Sequence, residues 1–192
     1  MNELYPIFLK LSTLEVLIIG GGSVGLEKLN FLLKSSPGAK VTVVSNEFMP
    51  EIMALALKYR IEIIRAAYDK LFLSEKHIVI AATDNNILNL QIHTDCKERN
   101  ILVNVADNPI LCDFFMGGIV TKGNLKLAIS TNGKSPTIAK RLRQFFEEIL
   151  PDEIDELVEN LHQFRKNMKG NFEDKVKNLN ELTKGLINKD NE

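Results

Sequence analysis

A glycine-rich loop directly after a short apolar run constrains the fold of this chain more than any other feature. The run EVLIIG (15–20) reads as a strand buried on both faces, and the loop GGGSVG (20–25) then opens a stretch of helical periodicity. The loop has the spacing Gly20-x-Gly22-x-x-Gly25 in the strand–turn–helix setting of a dinucleotide-binding loop. There Gly20 allows a tight turn, Gly22 lets a pyrophosphate approach, and Gly25 lets the helix pack on the sheet. A glycine-rich turn without a ligand is the less favoured alternative.

Strand-like and helix-like segments alternate through the first half of the chain. The predicted strands are 15–20, 40–45, 61–64, 77–82 and 101–105, and the predicted helices between them are 24–34, 49–58 and 86–99. This order is typical of an α/β fold with a Rossmann-type, doubly wound parallel sheet. Two further strands, 118–120 and 125–130, are joined by a short turn and give an antiparallel pair.

The second half of the chain changes character. From Ser135 onward it reads as helical, with breaks at Pro151, Gly170 and Gly185. We therefore expect a Rossmann-type dinucleotide-binding domain at 1–113, a small α+β section at 114–150 and a C-terminal helical section at 151–192.

Composition limits the class of protein. A net charge of -1 gives no general attraction to nucleic acid or to an anionic membrane, so neither is expected as a partner. The two cysteines do not make a disulfide framework, and no basic segment leads into an apolar stretch at the start. No apolar run approaches the roughly 20 residues that cross a bilayer. These features predict a cytoplasmic protein.

Several loops fall at one edge of the predicted sheet, because ligands of open parallel sheets bind outside the carboxyl ends of the strands. The second strand ends in Ser45 and Asn46 where an acid usually holds the adenine ribose; Asn46 can bind a hydroxyl and Glu47 follows. No arginine is nearby to take a 2′-phosphate, which favours NAD over NADP. The predicted cofactor contacts are Gly20, Gly22, Ser23, Val24, Gly25, Ser45, Asn46, Ala82, Thr83, Asp84 and Val105.

Two polar groups at this edge have plain alternatives. In AATDN (81–85), Thr83 and Asp84 can face a cofactor, but this segment can equally cap the next helix, and the two roles are compatible. Asp107 follows the strand 101–105, and an Asx-type turn before Asn108-Pro109 is the common role of such a residue.

A cationic segment surrounds the start of the helix after Ser135, which is a good N-cap. Basic residues at the beginning of a helix oppose the macrodipole preference, so an anion near the helix start is the favoured interpretation. A solvated face with an Arg143–Glu147 pair is the alternative. The basic residues are Lys134, Lys140, Arg141 and Arg143.

Five motifs in register resemble the precorrin-2 dehydrogenases of siroheme synthesis, including the N-terminal part of bifunctional siroheme synthases. The motifs are YPIFLKL, GGGSVGLEK, AATDN, NVADNPILCDF and LAISTNGKSPTIAKRLR, which together span almost the full chain. The resemblance implies oxidation of precorrin-2 to sirohydrochlorin with NAD+ as hydride acceptor, and Asp107 matches the family's catalytic aspartate, proposed as a general base. Some members also insert ferrous iron, so a transient Fe2+ is a further expected partner.

The resemblance also implies a homodimer in which the section 114–150 supplies much of the interface. Phe114, Phe115 and Met116 are candidate contacts there, with ordinary core packing as the alternative. A tetrapyrrole carries eight carboxylate arms, which suit the cationic segment. The predicted substrate contacts are Asn104, Asn108, Thr131, Lys134, Ser135, Lys140, Arg141 and Arg143.

No permanent metal site is predicted, because the histidines are scattered and Cys96 and Cys112 are not at ligand spacing. Two rival functions stay open from the sequence. One is a bifunctional enzyme that also inserts Fe2+ into sirohydrochlorin. The other is a non-enzymatic, dimeric NAD-sensing module, which would need the glycine loop but not Asp107.

Overall fold

The computed structural model describes residues 2–184, which form two compact units. The first unit contains the chain up to residue 117 together with 130–136, and the second contains 118–129 and the chain from 137 onward. The division into three functional sections stays a prediction, and residues 185–192 of its helical section, including Gly185, lie outside the described residues.

The first unit is built on a five-stranded, wholly parallel sheet with the strand order β3-β2-β1-β4-β5. The predicted Rossmann-type, doubly wound fold is therefore confirmed. Its strands are β1 Glu15–Ile19, β2 Lys40–Ser45, β3 Glu62–Arg65, β4 Ile78–Ala81 and β5 Leu102–Val105. Its helices are α1 Ser23–Ser35, α2 Pro50–Tyr59 and α3 Asn86–Glu98, with 3-10 turns at Lys70–Leu73 and Pro109–Leu111.

Alternating apolar side chains of the central strand pack into two separate cores. Val16 and Ile18 face one core, while Leu17 and Ile19 face the other, and all four are 2% exposed or less. Helix α1 covers the first core with Leu29, and α3 covers the second with residues such as Ile92. A strand buried on both faces must be apolar throughout, which explains the run at 15–20.

The third strand begins one residue later than the predicted 61–64. Arg60 has a left-handed backbone (φ 57°) and ends α2, and the Ile61 N–H donates to the Ala56 carbonyl at 3.0 Å. Ile61 therefore belongs to the helix cap instead of the strand.

The sheet order places a crevice between β1 and β4. The chain fills one side of β1 with β2 and β3 and then crosses to the other side with β4 and β5. Such a reversal separates the loops that follow β1 and β4, and ligands of open α/β sheets bind there, outside the carboxyl ends of the strands.

The second unit combines a hairpin with helices. Its elements are β6 Gly118–Lys122, antiparallel β7 Leu125–Ile129, and the helices α4 Pro136–Ile149, α5 Ile154–Asn167 and α6 Phe172–Thr183, of which α4 begins at the last residue of the first unit. The hairpin turn rests on α5, because Asp155 accepts from the Asn124 N–H at 2.6 Å. The predicted helix breaks at Pro151 and Gly170 are confirmed. Across residues 2–184, none of the helices combines the length and apolar composition that a bilayer crossing needs.

Candidate functional site

A cavity of about 760 Å³ lies at the carboxyl ends of the strands in the first unit. It is lined by the loops that follow β1, β2, β3 and β4, so the residues that line it are distant in sequence. Among the predicted cofactor contacts, those that line it are Gly20, Gly22, Ser23, Val24, Ser45, Asn46, Ala82, Thr83 and Asp84. Gly25 and Val105 do not line this cavity.

The glycines of the loop differ in how closely other atoms surround them. Gly20 has φ +125°, and a Cβ there would lie 2.3 Å from the Ala82 carbonyl oxygen. A Cβ on Gly25 would lie 2.1 Å from the Gly20 carbonyl oxygen, so α1 and the loop touch through backbone atoms. Around Gly22, no atom of residues 2–184 lies within 4 Å of such a Cβ. Gly20 and Gly25 are therefore needed by the fold, while Gly22 leaves open space toward the cavity.

Sequence reasoning missed Gly21. A Cβ on Gly21 would meet the Glu47 carbonyl oxygen at 2.0 Å, and the Met49 N–H donates to the Gly21 carbonyl at 2.9 Å. Gly21 thus joins the loop after β1 to the loop after β2, the two loops that would hold the two ends of an adenosine diphosphate. The pattern Gly20-x-Gly22-x-x-Gly25 does not specify this position, because it counts only the spaced glycines.

The N-terminus of α1 opens on the cavity and can hold a phosphate. Gly22 is the N-cap residue, no side chain in the described part of the chain caps the helix, and the first turn carries no acid. Uncapped N–H groups and the positive end of the helix dipole favour an anion, and the open space at Gly22 lets one approach. The residues present therefore fit the pyrophosphate of a dinucleotide.

The loop after β4 is held by a buried asparagine that sequence reasoning also missed. Asn89 is 3% exposed; its Oδ1 accepts from the Thr83 hydroxyl at 2.6 Å, and its Nδ2 donates to the Thr83 carbonyl at 3.0 Å. Asn85 caps α3 by accepting from the N–H groups of Ile87 and Leu88. Asn85 therefore has the capping role that was the alternative for this segment. Asn89 of α3 orients Thr83. A polar residue on the inner face of a helix was the available signal.

The loops after β2 and β3 form the far end of the cavity. Ala66, Ala67 and Tyr68 line it beside Ser45 and Asn46. The Tyr68 hydroxyl donates to Asp95 at 2.8 Å, and burial together with this bond raises the pKa of Tyr68, which stays neutral. The loop after β3 gives no signal in the sequence, because Ala66 and Ala67 carry no hydrogen-bonding side chain.

An arginine does lie at this end, contrary to the expectation from local sequence. Arg65 is the β3 residue that pairs with Ser45 of β2, and its guanidinium lies 5.4 Å from the centre of the Phe48 ring. The sequence interpretation missed it because only residues close to Asn46 along the chain were considered, whereas strand pairing brings β3 alongside.

Asp107 lies in a turn directly beyond β5. Its backbone is left-handed (φ 60°), and the turn is closed by the Asn108 N–H donating to the Val105 carbonyl at 3.3 Å. The Ala106 N–H donates to the Ala81 carbonyl at 2.9 Å, which ties this turn to the end of β4. Asp107 itself is exposed. Asp107 therefore lies in a turn, which was the alternative interpretation from the sequence. The turn also places this residue at the carboxyl edge of the sheet.

The base of this loop is closed by Asp113 and Asn104. The Asp113 N–H donates to the Val103 carbonyl at 2.8 Å and its carboxylate accepts from the Val103 N–H at 3.0 Å. Lys97 binds the other carboxylate oxygen at 2.6 Å. Burial works to raise the pKa of Asp113, but the Lys97 and Val103 hydrogen bonds outweigh it and the pKa is lowered. Asn104 is 6% exposed and donates to the Phe114 carbonyl at 2.8 Å, so its amide is engaged within the fold.

The segment before α4 is organised by Thr131. Its hydroxyl accepts from the Ser135 N–H and donates to the Ser135 carbonyl, both at 3.1 Å. Asn132 and Gly133 between them have left-handed backbones, and Lys134 is exposed. Helix α4 begins at Pro136, as predicted. Thr131 therefore shapes the loop that carries Lys134.

The remaining basic residues lie on α4 in the second unit. Lys140 and Arg141 are exposed, and Arg143 forms an ion pair with Glu147 one turn later. The pairing alternative thus applies to Arg143. Phe114 and Met116 pack against the first core of the first unit, so ordinary core packing applies to these two, whereas Phe115 is 37% exposed.

No group of three or more potential metal ligands is found among residues 2–184. His77 has a structural contact, since its Nδ1 accepts from the Glu15 N–H at 3.0 Å.

Two family descriptions match the chain. Residues 7–118 match the family described as putative NAD(P)-binding, and residues 122–149 match the one described as sirohaem biosynthesis protein central. The first match covers the unit that holds the cavity and the Asp107 turn.

The similar proteins agree with these families. A siroheme synthase of Psychrobacter sp. (strain PRwf-1) is 43% identical over 147 residues, which is 77% of this chain and 30% of that protein. A siroheme synthase of Psychrobacter arcticus is 40% identical over 165 residues, 86% of this chain and 30% of that protein. The chain therefore spans about 30% of the length of these relatives.

A solved structure named SirC, precorrin-2 dehydrogenase, has the same fold. It is similar with a TM-score of 0.74 at 24% identity, covering 97% of this chain and 90% of that one. The resemblance indicated by the five sequence motifs is confirmed by these matches.

Proposed function

This chain belongs to the putative NAD(P)-binding family, and we propose that it oxidises precorrin-2 to sirohydrochlorin with NAD+ as the hydride acceptor. The observation that carries this function is the position of the exposed Asp107 carboxylate. Its turn is hydrogen-bonded through the backbone to the end of β4, and β4 pairs with β1, the strand that leads into the glycine loop. The names of the relatives, siroheme synthase, support a tetrapyrrole substrate.

The reaction removes one hydride and one proton from the substrate. One precorrin-2 and one NAD+ give one sirohydrochlorin, one NADH and one proton. NAD+ supplies the hydride acceptor, and we assign the proton to the Asp107 carboxylate, which passes it to water. Within residues 2–184 this carboxylate has no hydrogen-bond or ion-pair partner, so its oxygens are available to accept a proton.

The cofactor would lie along the cavity of the first unit. The backbone of Gly20 and Gly22 and the N-terminus of α1 would hold the pyrophosphate, and Ser45 and Asn46 the adenine ribose. Ala82, with no bulky side chain, would leave room beside the loop after β4. We propose the same cofactor contacts that were predicted from the sequence, except that Gly25 and Val105 would act only through packing.

NAD is proposed over NADP on the basis of Glu47. Glu47 lines the cavity next to Asn46, and a carboxylate there would repel a 2′-phosphate. Arg65 is the opposing feature, because a guanidinium suits a phosphate; here it lies over the Phe48 ring. Comparing NAD+ and NADP+ in the wild type and in Glu47→Gln tests this preference, and a lower KM for NADP+ in the wild type would contradict it.

Cationic and hydroxyl groups are proposed to bind the substrate carboxylates. Lys134 is exposed in the first unit, and Lys140 and Arg141 are exposed in the second. Asn108 in the Asp107 turn, and Thr131 and Ser135 in the loop before α4, are retained as further polar candidates. Arg143 and Asn104 are weaker candidates, because Glu147 and the Phe114 carbonyl engage them.

A homodimer is proposed from an apolar stripe on α4. Ile138, Leu142, Phe145 and Ile149 are between 39% and 54% exposed, and their spacing of four, three and four residues places them on one side of the helix. This is the spacing of a seam between two packed helices. A second copy of this chain would remove the stripe from water.

Iron insertion is a second candidate function. The relatives are named siroheme synthase, and an available carboxylate such as Asp107 could accept the protons that leave the macrocycle when a metal enters. In this case Fe2+ and sirohydrochlorin are substrates, and siroheme and two protons are products. Incubating the protein with sirohydrochlorin and Fe2+ and following the spectrum of the metallated ring decides the matter.

The main function is tested with purified protein, precorrin-2 and NAD+. We expect sirohydrochlorin absorbance and NADH to rise together in equal amounts. No conversion beyond the enzyme-free rate would overturn the proposal. If NAD+ still bound tightly while no tetrapyrrole bound, the rival NAD-sensing module would be the better description.

A further inference from the structure

We propose that Cys112 is a positioning residue that holds the Asp107 turn, an inference that rests on the function proposed for Asp107. The thiol lies beside the chain both before and after Asp107. Its role would be to keep the carboxylate in the one orientation in which it can receive the substrate proton, without touching the substrate itself.

The sulfur of Cys112 contacts polar atoms on both sides of the turn. It accepts from the Val105 N–H at 3.3 Å and from the Asn104 Nδ2 at 3.4 Å. It lies 3.3 Å from the Val105 carbonyl oxygen and 3.3 Å from the Asn108 carbonyl oxygen, either of which can accept its hydrogen. Val105 and Asn108 are the first and last residues of the turn, so one side chain bridges its two ends.

The thiol is suited to this bridging role because it keeps its proton. Burial raises the pKa of Cys112, and the S–H therefore remains a donor at neutral pH. A thiolate would instead repel the two carbonyl oxygens. The neutral thiol donates to one of them at a time and accepts from the Val105 N–H and the Asn104 amide.

The turn needs support because of its backbone conformation. Asp107 has φ 60°, a conformation that costs most L-residues about 1 kcal/mol or more and that Asp and Asn adopt most readily. The closing hydrogen bond from Asn108 to Val105 is long, at 3.3 Å, and Asp107 is exposed. Its other backbone supports are the Ala106 bond to Ala81 and the 3-10 turn that follows.

Hydrogen bonds fix the remainder of the loop at its base, so Cys112 holds the turn from a fixed position. Val103 and Asp113 exchange two hydrogen bonds, and Asn104 binds the Phe114 carbonyl. Cys112 is adjacent to this closed base and reaches inward to the turn. Its displacement would therefore move the turn while leaving the strand β5 in place.

The test compares Cys112→Ala and Cys112→Ser in the full chain with Cys96→Ala as a matched control. Cys96 is the other cysteine and is fully buried in the same core that Cys112 borders; no hydrogen bond of its side chain is found among residues 2–184. We expect Cys112→Ala to lower kcat about 10-fold with an unchanged KM for NAD+, because misplaced catalytic groups lose rate steeply. Cys112→Ser should recover most of that loss, since a hydroxyl can donate and accept at the same place. Cys96→Ala should lower Tm at least as much as Cys112→Ala, while kcat stays within about twofold of wild type.

A double variant asks whether Cys112 acts through Asp107. If it does, Asp107→Asn/Cys112→Ala should be no slower than Asp107→Asn alone, because the carboxylate being positioned is already absent. A further loss in the double variant, or wild-type kcat in Cys112→Ala, would overturn the inference while leaving the proposed function intact. An inactive wild type would instead overturn the proposed function, and the inference with it.

Discussion

Gly20 and Ala82 are in direct backbone contact, so that a Cβ on Gly20 would lie 2.3 Å from the Ala82 carbonyl oxygen. This contact brings the loops after β1 and β4 together where the sheet order reverses. We expect Gly20→Ala to lower the free energy of unfolding by more than about 2 kcal/mol, from the clash and from the positive φ of this residue. Urea unfolding of the two proteins measures the difference.

Gly22→Ala is the matched variant, because none of the described residues has an atom within 4 Å of its added Cβ. Gly22 has φ -88°, which alanine adopts without strain. Stability should change by less than about 1 kcal/mol, whereas the Kd for NAD+ should rise about 10-fold because the methyl group occupies the space of the pyrophosphate. Unchanged NAD+ affinity, measured by calorimetry, would remove the phosphate-binding role of this loop.

Asn89 should control the loop after β4. Asn89→Ala leaves the Thr83 hydroxyl without its 2.6 Å acceptor and should cost about 1–3 kcal/mol in stability. Because Thr83 lines the cavity, the KM for NAD+ should also rise, by about threefold or more. Asn86→Ala, at an exposed position on the same helix, is the control and should change neither quantity. Equal KM values in the two variants would show that the Thr83 loop does not need its anchor.

The lowered pKa of Asp113 makes a prediction about acid stability. Its folded pKa lies below the ordinary value of 3.8, so the charged form stabilises the fold above that pH and the contribution is lost as the pH falls through the folded pKa. The stability difference between wild type and Asp113→Asn should be constant from about pH 7 to about pH 5 and should shrink below about pH 4. Urea midpoints across this range measure it. A difference that grows on acidification has the wrong sign for this explanation.

The stripe on α4 should decide the oligomeric state. Replacing Phe145, which is 53% exposed, by Glu should convert a dimer to a monomer, because two carboxylates would face each other across the proposed seam. Gln144→Glu adds the same charge at an exposed position off the stripe and should leave the dimer intact. Sedimentation velocity gives the masses, and a monomeric wild type would contradict the dimer.

Most of the fold was predictable because its signals are local. The apolar run 15–20 indicated a strand buried on both faces, and Asn108-Pro109 indicated where a strand ends. Sequence reasoning missed Asn89 and Arg65 because their contacts depend on which strands and helices become neighbours. Arg65 lies beside Ser45 only because β3 pairs with β2, and Asn89 reads as an ordinary helical polar residue until α3 packs on the sheet.

Asp107 shows the same limit within the site itself. Its position after a strand placed it at the carboxyl edge, but neither its left-handed backbone nor the bridging thiol of Cys112 can be read from the residue order. The conformation also decides which variant of Asp107 is informative. Alanine at φ 60° would add strain of its own, whereas asparagine accepts this backbone and replaces one carboxylate oxygen by an uncharged NH2 group that cannot accept the proton.

The most direct test of the central claim is the rate of precorrin-2 oxidation by wild type and by Asp107→Asn at saturating NAD+, with NAD+ affinity measured on the same preparations. Asp107 lies outside the lining of the cofactor cavity, so the Kd for NAD+ should stay within about twofold of wild type. The yield of sirohydrochlorin per unit time should fall by about 100-fold or more, the usual contribution of a general base. Asp107→Asn that oxidises precorrin-2 at the wild-type rate would contradict the claim.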